Sequence, residues 1–209
     1  MRPLVAGRLA SRSRRSAATA LALSVLVLVA AGTAAGAQRT LDTKDMVLQR
    51  GDLPDKFGAI LARYITNAQL AATTAPGKNL TKLGRISGYY IAYTTIAVRG
   101  LTVVESFASL YQHDKGAHNS LEESIAQTLS GGQQIVPDRS ALASLGSDAR
   151  LLHLRGDEGG TKFDYYTVAW RDNRVFAEVR GQGRAGTIDP ADVIALAKKQ
   201  DARIAKLVD

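Results

Sequence analysis

The side chains best suited to acid–base or metal chemistry are three histidines, and their spacing argues against a local site. His113 and His118 are five residues apart, which puts them on different sides of a helix, and no H-x-x-x-H pair occurs. We therefore expect no metal and assign no catalytic residue. The alternative is a hydrolase-like enzyme with a histidine–carboxylate acid–base site. Its candidate residues are His113, His153, Glu105 and Asp114.

A complete G-x-G-x-x-G pattern runs from Gly181 to Gly186, after a predicted strand and before a predicted helix. In dinucleotide-binding folds such glycines let backbone N–H groups and a helix N-terminus meet a pyrophosphate. Here only 23 residues follow Gly186, too few for the helix and a further parallel strand. Asp189 is also placed to occupy the helix N-terminus with its own carboxylate. We interpret the pattern as a loop and expect no cofactor.

Aromatic side chains are concentrated on the predicted strands. Alternation puts Tyr89 and Tyr93 on one face of their strand and Tyr90 on the other, so both faces carry aromatic rings. Helices grouped on one face of the sheet would leave the other face partly open to a sugar, lipid or peptide. The opposing interpretation is that these residues pack at the edges of the core, because Tyr is common in strands. The predicted ligand-binding residues are Tyr89, Tyr93, Tyr165 and Trp170.

The order of strand and helix signals predicts an α+β fold: an antiparallel sheet of about five strands with helices packed on one face. Apolar residues at i, i+3, i+4, i+7 and i+11 from Leu61 predict a first helix. Residues 85–96 and 101–111 predict a hairpin with a turn at Arg99-Gly100. The remaining predicted elements are a helix from Asp114 to Gly131, strands over 149–155, 162–171 and 174–181, and a final helix capped by Asp189.

Residues 1–37 are typical of a secretory signal, followed by a single α+β domain over 38–209. Five arginines precede the apolar run Ala17–Ala31, and Ala35-Gly36-Ala37 offers the small side chains that a signal peptidase accepts, so we expect cleavage before Gln38. The alternative is an uncleaved membrane anchor, although the strongly apolar part is only Leu21–Val29. We therefore predict a secreted or extracytoplasmic protein that meets a membrane only through an uncleaved signal.

Charge and cysteine content narrow the possible partners. The full chain has 27 basic and 19 acidic residues; the five basic residues within 1–37 leave 22 against 19, a net charge of +3 for the remainder. Charges of both signs alternate along that remainder, so we expect no nucleic-acid partner. There is no cysteine. An exported chain without disulfides must be held by its hydrophobic core.

Four segments carry a resemblance to known proteins: 51–58 (GDLPDKFG), 84–89 (GRISGY), 103–121 and 189–204. They resemble segments of uncharacterised exported bacterial α/β proteins, and more broadly those of extracytoplasmic sensor-like and PsbP-like domains. The resemblance implies a small sheet backed by helices and a location outside the cytoplasm. It implies no activity, because the shared motifs are structural.

Together these features predict an exported, non-catalytic ligand-binding or sensor-like domain of a bacterial cell envelope. Its ligand is a small molecule, glycan, lipid or peptide. The alternatives are the hydrolase-like enzyme and a cell-surface accessory protein without a small-molecule site. A concave pocket that holds a histidine and a carboxylate within hydrogen-bond reach would favour the enzyme, whereas an exposed tyrosine patch without such a pair would favour binding.

Overall fold

The computed structural model describes residues 41–73, 80–97, 99–137 and 140–208, which belong to one compact unit, Arg39–Asp209. The predicted signal segment and its cleavage site lie outside these residues. The strands are β1 (Gly58–Tyr64), β2 (Arg85–Thr94), β3 (Val103–Tyr111), β4 (Gln134–Ile135), β5 (Ser147–Glu158), β6 (Thr161–Asp172) and β7 (Val175–Arg184). The helices are α1 (Asn67–Thr73), α2 (Asp114–Ser130) and α3 (Pro190–Val208).

All seven strands form one antiparallel sheet in the order β1-β2-β3-β7-β6-β5-β4. The predicted hairpin of β2 and β3 and both long helices are confirmed, but the predicted count of about five strands is wrong, because the sheet has seven. Strand β1 occupies part of the segment predicted as the first helix, because pairing with β2 overrides the local apolar spacing, and α1 begins only at Asn67. Strand β4 has two residues, too few for any periodic signal.

The two long helices, α2 and α3, pack on opposite faces of the sheet, which corrects the prediction that the helices share one face. On β6, Val168 and Trp170 belong to the cluster that includes Val193 of α3, whereas Ala169 belongs to the cluster that includes Leu121 of α2. Neighbouring strand residues point to opposite faces. We call these the α3 face and the α2 face. The sequence signal for two covered faces is the unbroken apolar run Val168-Ala169-Trp170.

The glycine pattern after β6 serves close packing. An added Cβ at Gly181 would lie 2.6 Å from side-chain atoms of Leu101 and Val193, and one at Gly183 would lie 2.2 Å from the Gly100 carbonyl oxygen. Both glycines lie within the antiparallel strand β7, so their missing side chains let the beginning of α3 approach the sheet. Gly186 has a φ of +76°, as a tight turn requires. This arrangement is not the parallel β–α–β unit of a dinucleotide site.

The segment that precedes β1 is anchored in the core by side-chain hydrogen bonds. The Leu48 N–H donates to Ser106 Oγ at 3.0 Å, and the Tyr93 hydroxyl donates to the Leu48 carbonyl oxygen at 3.0 Å. Ser106 in turn donates to Gln200 Oε1 at 2.6 Å, which connects the central strand to α3. These buried groups of Leu48, Tyr93, Ser106 and Gln200 therefore satisfy one another, as burial requires.

We expect Gly183→Ala to lower the free energy of unfolding by about 1–3 kcal/mol, because the added methyl must push backbone or Ile188 aside. Gly58→Ala is the matched control, since its Cβ would meet nothing within 4 Å and the strand conformation tolerates alanine. Urea unfolding followed by Trp170 fluorescence measures both. Equal midpoints for the two variants would contradict the packing role of Gly183.

Candidate functional site

Three of the four predicted ligand-binding residues lie in the core of the α3 face. Tyr89, Tyr93 and Trp170 are 6%, 2% and 0% exposed. Trp170 Nε1 donates to Asp201 Oδ1 at 2.7 Å, which satisfies the buried indole. In this conformation these three side chains offer no surface to a ligand. Tyr165, the fourth, is half-buried on the α2 face, where its hydroxyl contacts Glu158 and accepts from Gln182 Nε2.

The histidines do not pair with the carboxylates that the sequence suggested. His113 is the N-cap residue of α2 and makes no side-chain capping bond. His118 Nδ1 lies 3.3 Å from Asp148 Oδ2, a carboxylate that also accepts from Arg171. Glu105 lies on the α2 face, where it accepts from Arg180, whereas His153 lies on the α3 face. The carboxylate partner of His153 is Asp164.

Asp164 is a buried carboxylate that gathers four hydrogen bonds. Its side chain is 3% exposed. Oδ1 accepts from His153 Nε2 at 2.9 Å and from Arg155 Nε at 2.9 Å, while Oδ2 accepts from Arg155 Nη2 at 3.3 Å and from the Gly186 N–H at 2.7 Å. Burial acts to raise the pKa of Asp164, but the bonds from Arg155, Gly186 and His153 outweigh it and lower the pKa to about 2.

The β5–β6 hairpin creates this cluster through its register. Arg155 lies directly opposite Asp164, and His153 lies opposite Tyr166, so all four side chains share the α3 face. The rings of His153 and Tyr166 stack at 4.5 Å with an interplanar angle of 13°. Stacking on one side and the carboxylate on the other fix the imidazole, which leaves Nδ1 as the ring nitrogen that is not bonded to Asp164.

A pocket lies beside Gln134, the first residue of β4, where the edge of β5 beyond His153 has no neighbouring strand. It is partly open to solvent and measures about 280 Å³, just below the usual range of small-molecule sites. Strand β4 pairs with β5 only through Gln134 and Ile135. The chain enters β4 from a turn at Gly132, whose φ is +89°. The lining residues are Gly132, Gln134, His153, Leu154 and Arg155.

The pocket supplies hydrogen-bond donors and one imidazole nitrogen. Asp164 accepts all four of its hydrogen bonds from groups of the protein, so it positions His153 and Arg155 and does not itself bind a ligand. The five lining residues include no Ser, Thr or Cys that could serve as a nucleophile. Within the described ranges, no three His, Cys, Asp or Glu side chains are grouped to hold a metal ion.

A second polar cluster lies on the α2 face. Arg180 donates to Glu105 Oε2 at 3.2 Å, to Glu178 Oε1 at 3.1 Å and to Thr167 Oγ1 at 3.3 Å. Burial is the main cause that raises the pKa of Glu178 above its usual range. Ser124 of α2 donates to the same carboxylate, so this cluster joins the helix to the sheet.

The pH dependence of stability tests whether Asp164 is an ionised, hydrogen-bonded carboxylate in the folded protein. Because its pKa falls from 3.8 to about 2 on folding, the carboxylate contributes about 2 kcal/mol above pH 4, and that contribution is lost as pH falls towards 2. Asp164→Asn should therefore be less stable than the parent chain by about 2 kcal/mol at pH 7, and the two urea-unfolding curves should converge between pH 4 and pH 2. The exposed Asp55 gives the control Asp55→Asn. A constant stability difference down to pH 2 would contradict the assignment.

Comparisons with known proteins give little more. No protein-family model matches the chain, and no curated protein matches its sequence. Among solved structures, the extracellular domain of PknH from Mycobacterium tuberculosis is similar with a TM-score of 0.43 and 10% identity, covering 75% of this chain and 93% of that one. A likeness at that level carries no argument about function. No helix in the described part of the chain is long and apolar enough to cross a membrane.

Proposed function

We propose that this chain is an exported ligand-binding domain whose ligand occupies the pocket beside His153 and Arg155. The observation that carries the proposal is the buried carboxylate of Asp164, which holds both side chains at the pocket wall. A site whose polar groups are already fixed loses little conformational entropy when a ligand binds. The secretory signal predicted over residues 1–37 supports a location outside the cytoplasm.

His153 and Asp164 meet the geometric criterion for an enzyme, but binding is favoured over catalysis because the lining residues offer a substrate no Ser, Thr or Cys nucleophile and no carboxylate. With its pKa lowered to about 2, Asp164 remains ionised at any physiological pH and cannot deliver a proton to a substrate. It also lies beneath the pocket wall, and His153 and Arg155 are the groups that line the cavity. The cluster can therefore orient donors around a ligand without taking part in a reaction.

A hydrolase-like enzyme is the second candidate, and one distance favours it. His153 Nε2 lies 2.9 Å from Asp164 Oδ1 at the pocket, which meets the geometric criterion for a histidine–carboxylate pair. In that role, Nδ1 would take a proton from a water molecule while the carboxylate stabilised the imidazolium. Hydrolysis of a bound ligand that His153→Gln abolishes without weakening binding would establish this second candidate.

Thermal unfolding of residues 39–209 with envelope saccharides, lipids and peptides tests the binding proposal. The two core clusters are built from residues between Leu41 and Val208, so this piece contains its own core. A ligand at one hundred times its Kd adds about 2.7 kcal/mol, or roughly 5–10 °C for a domain of this size. We expect such a shift for at least one class, and its loss in Arg155→Gln.

Lys162→Gln is the matched control, because Lys162 is an exposed cation of the same hairpin that does not line the pocket. It should keep the full thermal shift. If no ligand class shifts the midpoint, the binding proposal fails. If a shift survives Arg155→Gln and disappears in Tyr165→Ala, the ligand binds the α2 face and the assignment to the pocket fails.

A further inference from the structure

We infer that the pocket takes a carboxylate group, from a small organic acid or from the end of a peptide chain, and that Arg155 is its anchor. This inference rests on the proposed function, because it names the chemistry of the ligand at the same site. Three groups of donors around the cavity support it: the guanidinium of Arg155, the side-chain amide of Gln134 and the backbone N–H of Arg155.

The guanidinium of Arg155 has one edge occupied and one edge free. Its Nε and Nη2 atoms donate to Asp164, which fixes the plane of the group. Within the described residues no protein group accepts from Nη1, and the side chain is 58% exposed. A guanidinium presents two N–H groups along its Nη1–Nη2 edge, a spacing that matches the two oxygens of a second carboxylate.

The register of β4 and β5 supplies the backbone donor. The Val136 N–H donates to the Leu151 carbonyl oxygen at 2.9 Å, and Gln134 lies opposite His153. In antiparallel pairing, every second residue directs its N–H and C=O groups to the same neighbour. The backbone N–H of Arg155 therefore points to the same side of β5 as β4. Because β4 pairs with β5 only as far as His153, this N–H has no strand opposite it and faces the cavity.

Charge near the pocket favours a singly charged group. Asp157 lies two residues beyond Arg155 on the same face, and its carboxylate accepts from the Gly160 N–H at 2.8 Å. The positive charge of Arg155 is already shared with Asp164. A dianion such as inorganic phosphate would meet two neighbouring carboxylates, whereas a monoanionic carboxylate meets less repulsion and matches the planar guanidinium edge.

A titration of residues 39–209 monitored by ¹H–¹⁵N NMR tests the inference with three probes: N-acetylalanine, its neutral amide and inorganic phosphate. We expect N-acetylalanine to shift the signals of Gly132, Gln134 and Arg155. The amide and phosphate should bind at least tenfold more weakly. Arg155→Lys, which keeps the charge but loses the planar edge, should raise the Kd for N-acetylalanine at least tenfold.

Two further variants keep the test decisive. Gln134→Ala removes a pocket donor without touching Asp164 and should raise the Kd about tenfold, as loss of one hydrogen bond to a charged group predicts. This variant replaces Arg155→Lys if Arg155→Lys does not fold. Lys162→Gln removes an exposed cation that lies opposite Asp157 and outside the pocket lining, so it should change the Kd by about twofold at most.

The possible failures are distinguishable. If the amide or a neutral saccharide shifts the pocket signals as strongly as N-acetylalanine, the carboxylate inference is overturned and the proposed function stands. Equal affinity for phosphate also overturns the inference. If no probe or envelope ligand shifts any pocket signal, the inference and the proposed function both fall.

Discussion

The charged carboxylate of Asp164 is buried, so the protein must supply the hydrogen bonds that water would otherwise donate to it. An ionised carboxylate that leaves water without hydrogen bonds costs several kcal/mol. Here the donors come from two places in the chain: His153 and Arg155 on β5, and the Gly186 N–H in the loop that leads to α3. This one requirement therefore joins the pairing of β5 with β6 to the path of the chain into the last helix.

Local signals were enough to predict much of the fold. The hairpin of β2 and β3 has aromatic and β-branched residues bounded by a glycine turn. Helix α3 is preceded by Asp189, whose Oδ1 accepts from the Ala191 N–H at 2.8 Å. What the sequence could not supply was long-range: β1 exists because β2 offers it an edge, and β4 because β5 does. The placement of helices on both faces is equally a property of the whole sheet.

The site was missed for a related reason. The sequence offered His113 or His153 as the histidine and Glu105 or Asp114 as the carboxylate, whereas the structure pairs His153 with Asp164. Distance along the chain does not show which face of the sheet a side chain occupies. A usable signal was present. Asp164 shares strand parity with Tyr166, Val168 and Trp170, so an acid stands on an inward face that is otherwise aromatic and apolar. The glycine turn at 159–160 then places Arg155 opposite that acid.

Charged residues at and beside the pocket also protect an exposed strand edge. Strand β5 has twelve residues, but β4 covers it for only two, which leaves backbone donors and acceptors open to pairing with another chain. Beyond His153, the open edge carries the charges of Arg155, Asp157 and Glu158, and burying unpaired charges would make strand pairing costly. A small ligand is not excluded in this way, because it can use the arginine and one backbone N–H without covering the acids. One arrangement of charges, on the part of β5 that β4 does not cover, therefore both hinders strand pairing and leaves room for a small polar ligand.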